Sequence, residues 1–266
     1  MLKIATWNMN HWRTASEARP RTWAYLEEQI QPDVALVQEA APLESHGRVV
    51  WRVGGIAGKG WGSAIVSYGP ELTPMQKVRS LYADQEMDLL RTHPGSVAIG
   101  QVRTDEGTLV SLFSVYGKWD GGYSNTTVHR ILSDIVPLLE NEKHCRYAVL
   151  AGDLNVGTNW QGSEYYVRQD QNLLDRIAAL GLFDCIDQML PQERGRLAGC
   201  PCALGNQCRH VRTQKHAQYP ESPIQTDYIF ATEALAARLK SADALNQDET
   251  IWEFSDHCPL VAEFDA

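Results

Sequence analysis

The chain has 266 residues, 44% hydrophobic and 21% charged, enough core material for one large α/β or β-sandwich domain, with two small domains equally compatible with the length. A net charge of −9 argues against a protein that coats nucleic acid through a broad basic surface, yet leaves open catalysis on a phosphate ester, because a divalent-cation site must itself be acidic. No apolar run approaches membrane-spanning length, the N-terminus MLKIATWNMN turns polar too early for a secretory signal, and the six cysteines form no secreted disulfide pattern, so the expectation is a cytoplasmic protein without a membrane span.

Leu2 to Trp7 reads as a first strand that delivers Asn8 and Asn10, two amides that would equally suit a turn. From Ser16, read as a cap, Trp23, Leu26 and Ile30 recur at helical spacing until Pro32 and Asp33 stop the run. Val34 to Val37 is a buried strand ending in Gln38 and Glu39. A glutamate closing so apolar a run is harder to dismiss than a surface one, although an exposed strand end is the bland alternative.

The period then changes. Arg48 to Val53, Trp61 to Tyr68, Val97 to Arg103 and Leu109 to Tyr116 read as strands in antiparallel meanders, punctuated by Gly54, Gly55, Gly69, Pro70, Pro94 and Gly95. Tyr116 taken alone is more readily a core-edge aromatic than a catalytic phenol. Thr126 to Leu139 is a helix with Val128, Ile131, Leu132 and Ile135 on one face, which Pro137 should end or kink.

Tyr147 to Asn155, YAVLAGDLN, is the most informative stretch. It is short and β-rich, so it reads as a buried strand, and alternation places Asp153 and Asn155 on one side with Leu154 toward the core. Glu164 to Leu180 follows as an amphipathic helix closed by Gly181, then Phe183 to Ile186 as a short strand, then an irregular stretch from Pro191 to Pro223. Thr226 to Ala231, containing Asp227, Arg238 to Ala244 and His257 to Phe264 are the last strands. With no repeat, low-complexity run or linker, the expectation is a single domain over residues 1–266 carrying an irregular Cys/His insertion at about 191–223.

Set side by side, the polar strand ends are Asn8 in TWNMN, Glu39 in VQE, Tyr116 in SVYG, Asp153 and Asn155 in GDLN, Asp227 in TDYIF, and Asp256 with His257 in SDHCPL. In order and context this series resembles the endonuclease/exonuclease/phosphatase superfamily of metal-dependent phosphoesterases, from Asn8 to His257. The resemblance implies an α+β fold, a four-layer αββα sandwich of two mainly antiparallel sheets flanked by helices, with the site where loops of both sheets converge. It implies Mg²⁺ or Mn²⁺ held by Glu39, with Asn8, Asn10 and Asp256 completing or supporting the shell. It further implies His257 as general base or phosphate-orienting group, Asp227 fixing its tautomer, Asp153 orienting or deprotonating water, and Asn155 holding phosphate or nucleophile. Where many relatives have Asn-Thr-His, this chain has Val115-Tyr116-Gly117, closer to the AP-endonuclease pattern, so Tyr116 joins the catalytic set as a hydrogen-bonding phenol. The DNA-inserting loops of AP endonucleases find no match.

The substrate expected is a phosphodiester, with DNA or RNA ahead of a small phosphate ester or phospholipid headgroup. A binding module that has lost the chemistry is disfavoured because every site residue is present. Separately, Cys200, Cys202, Cys208 and His210, with His216 nearby, could hold a structural Zn²⁺, free thiols or a disulfide being the alternatives. Arg194, Arg196, Arg209, Arg212 and Lys215 make the same segment basic, as a solvated loop or as a grip on a polyanion.

Overall fold

The computed structural model describes residues 1–53, 60–75, 77–79, 86–90, 93–119, 121, 124–160 and 163–266. The first strands are β1 (Leu2–Asn8), β2 (Val34–Ala40), β3 (Val49–Val53), β4 (Gly62–Ser67) and β5 (Glu71–Pro74), followed by the short pair β6 (Lys77–Arg79) and β7 (Glu86–Asp88). Next come β8 (Val97–Arg103), β9 (Leu109–Val115), β10 (Ala148–Asp153) and β11 (Leu182–Asp184). The last are β12 (Gln214–His216), β13 (Tyr219–Ile224), β14 (Asp227–Thr232), β15 (Leu239–Ala244) and β16 (Leu260–Phe264).

They form two six-stranded sheets, ordered β15-β16-β1-β2-β4-β3 and β11-β14-β10-β9-β8-β5. Each is antiparallel except for one central parallel pair, β1 with β2 and β9 with β10. A parallel pair needs a long return, and helices supply it: α1 (Arg19–Tyr25) between β1 and β2, α2 (Ser124–Leu139) and α3 (Glu142–Cys145) between β9 and β10. Within each parallel pair the carboxyl ends lie together, and a hydrogen bond from Asn8 to Asp153 brings the ends of β1 and β10 to the same end of the molecule.

Alternation decides which face each strand buries. In the second sheet Val102, Val110, Leu112, Val149, Ala151 and Ile229 join Ile4, Leu36 and Ile65 of the first sheet in one core. Their neighbours Ile99, Phe113, Val115, Leu150 and Phe230 face the other way, onto Val128, Ile131, Leu132 and Ile135 of α2 and onto Leu173 and Ile177 of α4 (Glu164–Ala179). Trp7 meets Tyr25 of α1 edge-on at 6.1 Å on the outer face of the first sheet. The result is the αββα layering, with mixed sheets. Gly152, at φ +147°, allows the close approach of the sheets: a Cβ there would sit 1.9 Å from Val115 O and 2.9 Å from Gln38 Nε2.

Several boundaries differ from the sequence reading. The first helix starts at Arg19 rather than Ser16, because Pro20 occupies its first turn and no side chain caps it, and it closes through a π turn over Leu26–Ile30. Asp184 ends β11 and caps α5 (Cys185–Met189), its carboxylate accepting from the N–H groups of Ile186 (2.9 Å) and Asp187 (3.3 Å), so Cys185 and Ile186 are helical rather than extended. Strands β5, β6 and β7 were too short and polar to read. The stretch 191–223 contains the hairpin of β12 and β13, and Gly54 and Gly55 lie outside the described residues.

Candidate active site

Local backbone geometry places each polar group. Asn8 closes β1, its Oδ1 accepting from Asn10 N at 3.0 Å and its Nδ2 donating across the sheets to Asp153 Oδ2 at 2.9 Å. Glu39 lies where the β2–β4 register slips between Val37 and Ala40, a bulge that re-aims the carboxylate. Its backbone is left-handed, at φ +48°, as are those of Asn10 at +52° and Asn155 at +50°. Non-glycine residues in this region cost free energy and cluster where function fixes them. Asp153 ends β10, accepting from Asn155 N at 2.8 Å and from Asn155 Nδ2 at 3.0 Å. The Tyr116 hydroxyl, just past β9, lies beside Glu39, Asp153 and Asn155.

Asp227 begins β14 directly opposite Asp153 in the ladder. Its Oδ2 accepts from His257 Nδ1 at 2.9 Å and from Thr226 Oγ1 at 3.0 Å. His257 Nε2 lies 3.8 Å from Asp153 Oδ2, and Asp256 Oδ1 accepts from Asn10 Nδ2 at 2.7 Å. Asn8, Asn10, Glu39, Tyr116, Asp153, Asn155, Asp227, Asp256 and His257 thus gather at one end of the sandwich, although 249 positions separate the first from the last.

Burial sets the electrostatics. It lifts the Glu39 carboxyl to about 7, against the opposing pull of the neighbouring Tyr116 hydroxyl and the His257 charge. Burial likewise raises Asp153, with His257 opposing and Asp227 adding. For His257 burial works against protonation, but Asp227 and Asp153 outweigh it and keep the imidazole protonated well above its ordinary value. Burial, then Glu39 and Asp153, push the Tyr116 phenol upward, so it stays a neutral donor. Asn10 Oδ1 and Asp227 Oδ1 are buried with no hydrogen-bond partner, and ligand atoms of Asp153, Asp227 and His257 lie within 4.8 Å of one another.

Supporting residues escaped the sequence reading. Gln214 forms an isolated bridge with His257 and brings its Nε2 to 3.1 Å from His257 Nε2. Thr213 Oγ1 accepts from Thr226 N at 3.0 Å and Asp227 N at 3.2 Å. Trp7 Nε1 donates to His257 O at 2.8 Å, while Ser255 Oγ donates to Asn8 O at 2.7 Å and accepts from His257 N at 3.1 Å. Ser255 directly precedes SDH's aspartate and could have been read from that motif. Thr213 and Gln214 carried no signal.

The model of the Endonuclease/Exonuclease/phosphatase family matches residues 5–257. The chain belongs to this family. As a member of the endonuclease/exonuclease/phosphatase family it is a phosphoester-hydrolysing enzyme. Among solved structures it is similar to an AP endonuclease from Archaeoglobus fulgidus (TM-score 0.65, 21% identity, 100% of each chain covered). It is also similar to the 3' phosphatase NExo from Neisseria bound to product DNA hairpin (0.64, 21%, 100% of each) and to an AP endonuclease from Leishmania major (0.67, 15%, 98% of this chain and 86% of that one). At these identities the likeness is one of fold. No curated protein matches the chain. No helix among the described residues is long and apolar enough to cross a membrane.

In this family member the basic segment is engaged internally. Arg194 donates to His210 O at 2.6 Å, Arg196 to the carbonyls of Cys200 and Cys202, and Arg209 to Asp187 Oδ1 at 2.6 Å and Leu190 O at 2.9 Å. Arg212 donates to Pro220 O, and Lys215 pairs with Glu249 at 2.9 Å. Cys200, Cys202, Cys208 and His210 converge, all buried, whereas His216 stacks on Tyr219 with ring centroids 5.6 Å apart.

Proposed function

We propose that the protein is a divalent-metal-dependent phosphodiester hydrolase of nucleic acid, DNA or RNA, built as one catalytic domain over residues 1–266. The observation that carries this reading is the meeting of Glu39, Asp153, Asp227 and His257 from four strand ends, with amides and a phenol filling the spaces between them. Three buried carboxylates against one imidazole leave negative charge that calls for a cation. The donors also fit one: Glu39, Asn10 and Asp256 offer oxygens, Asn10 Oδ1 has no protein partner, and Asn8 braces the set through Asn10 N. Hard oxygen donors suit Mg²⁺ or Mn²⁺. Such an ion, when bound, neutralises phosphoryl oxygens and the developing charge on the leaving oxygen.

The chain's own groups do the rest. Asp227 Oδ2 accepts from His257 Nδ1, which fixes the ring with Nε2 toward Asp153. Set between the Asp227 and Asp153 carboxylates, His257 serves as general base or orients a phosphoryl oxygen. Asp153, braced by Asn8 and Asn155, aims the attacking water and takes its proton. Asn155 holds the phosphate or the water, and Tyr116, beside Glu39 and Asn155, donates to a phosphate or leaving oxygen. The hydrogen bond between Asp227 and His257 favours this relay over a metal cradle made of the same two side chains.

A small phosphate ester or phospholipid headgroup is the second reading, and the internal engagement of the five basic side chains favours it. A panel of single-stranded DNA, duplex DNA, RNA, and phosphorylated sugars and lipids, each with and without Mg²⁺ or Mn²⁺, separates the two. Metal-dependent cleavage of a nucleic acid supports the first reading, cleavage of small esters alone supports the second, and inactivity on all removes both.

A further inference from the structure

Cys200, Cys202, Cys208 and His210 lie in the segment between α5 and β12, which has little apolar core of its own; the three thiols pack on one another and on Leu197. All four side chains are buried, at 2%, 8%, 3% and 8% exposure, and none of the thiols is in a disulfide. Their ligand atoms lie within 4.8 Å of one another, and His210 Nδ1 stands 3.6 Å from both Cys200 Sγ and Cys208 Sγ. A tetrahedral zinc with ordinary Zn–S and Zn–N lengths sets sulfur and nitrogen ligands about 3.6 Å apart. Two sulfurs at that spacing from a ring nitrogen, a third sulfur converging with them within 4.8 Å and no bond between sulfurs make the donor set of a closed structural zinc site.

The surroundings are built for the same purpose. His210 Nε2 contacts Thr158 Oγ1 at 2.7 Å, which orients the ring with Nδ1 inward, the outer contact expected of a metal-bound imidazole. Gly199 at φ +72° and Gly205 at +54° supply left-handed turns beside the ligands. Arg196 binds the carbonyls of Cys200 and Cys202, and Arg194 that of His210. Two guanidiniums therefore border a centre that would carry one net negative charge with three thiolates.

We infer that Cys200, Cys202, Cys208 and His210 bind a structural Zn²⁺ that clasps the segment forming one wall of the active site. The chain leaves His210 directly into that wall. Val211 N donates to Gln225 Oε1 at 3.0 Å, Thr213 Oγ1 receives Thr226 N and Asp227 N, Cys258 N donates to Thr213 O at 2.9 Å, and Gln214 reaches His257. The clasp holds in place residues that themselves position Asp227 and His257, without touching the reacting atoms.

Elemental analysis of the full-length protein, purified without chelator, tests this independently of hydrolysis. About one zinc per chain is expected, released by a mercurial thiol reagent, and replaced by Co²⁺ with the visible d–d and thiolate charge-transfer absorption of a tetrahedral site. Glu39→Gln should retain that zinc, whereas Cys208→Ser should lose it and show faster hydrogen exchange at the amides of Thr226 and Asp227. A folded wild-type chain without zinc that takes up no Co²⁺, or one whose intact mass shows a disulfide among these cysteines, overturns the site. Zinc loss from Cys208→Ser with unchanged exchange at Thr226 and Asp227 overturns the clasp.

Discussion

Asp153 and Asp227 are cross-strand partners at the end of the β10–β14 ladder, and one imidazole stands between them, with His257 Nδ1 2.9 Å from Asp227 and Nε2 3.8 Å from Asp153. Like charges directly opposite on a sheet are destabilising. The pair persists because His257 stands between the two carboxylates, its Nδ1 donating to Asp227, while Asn8 and Asn155 donate to Asp153.

Asp227→Asn keeps the side chain's shape but removes the charge that holds His257. The expected outcome is a fall in kcat of about 100-fold, the scale set by a misoriented catalytic group, with KM little changed. Steady-state kinetics on a generic phosphodiester reads this directly; a change confined to KM would place Asp227 outside the relay.

Tyr116→Phe removes the hydroxyl that lies beside Glu39 and Asn155 while leaving the ring against Trp61, whose centroid is 6.0 Å away. A hydrogen bond from the phenol to a charged phosphate or leaving oxygen is worth about 1.5–3 kcal/mol, so kcat should drop by about 10- to 100-fold with thermal stability nearly intact. Unchanged kcat would mean the phenol only packs.

The four central strand ends were legible because polar residues closing apolar runs break the burial pattern that a strand otherwise obeys. Glu39 after ALVQ and Asp153 after VLAG are visible on that ground alone, and SDH near the C-terminus completes the set. The bulge at Glu39 and its left-handed backbone were not legible, since nothing in VQEA signals positive φ. Thr213 and Gln214 escaped for a different reason. Their roles come from partners 13 to 43 positions away, in a stretch with no periodicity to read. The arginines of that stretch were legible as charge, but their internal partners were not.

Gly117 carries a structural requirement at the same edge. A Cβ there would lie 1.8 Å from Leu154 O, in the turn where Gly117 N donates to Asp153 O at 2.7 Å. Gly117→Ala should therefore lower unfolding stability by about 1–3 kcal/mol through overpacking, measured by urea denaturation. A neutral effect would show that the Leu154 turn can shift.

His11 gives the fold a pH dependence of known sign. It is fully buried, its Nδ1 accepting from Ala41 N at 3.0 Å, and burial with Arg19 nearby depresses its pKa to about 3. An unfolded chain takes up this proton through about pH 6.5, so between there and about pH 3 the unfolded state binds more protons and stability falls as pH drops, by at most about 1.4 kcal/mol per pH unit. His11→Asn keeps an acceptor for Ala41 and cannot ionise. Its stability should fall less steeply between pH 6 and 4 than that of wild type, and identical slopes would contradict the assignment.

The most direct test of the account is the rate of divalent-metal-dependent cleavage of a generic phosphodiester by the wild-type chain and by His257→Ala, with folding of both verified by circular dichroism. A loss of about 10²- to 10⁴-fold in the variant is the predicted result, on the scale of a positioned acid–base group. Equal rates in the two proteins would contradict it.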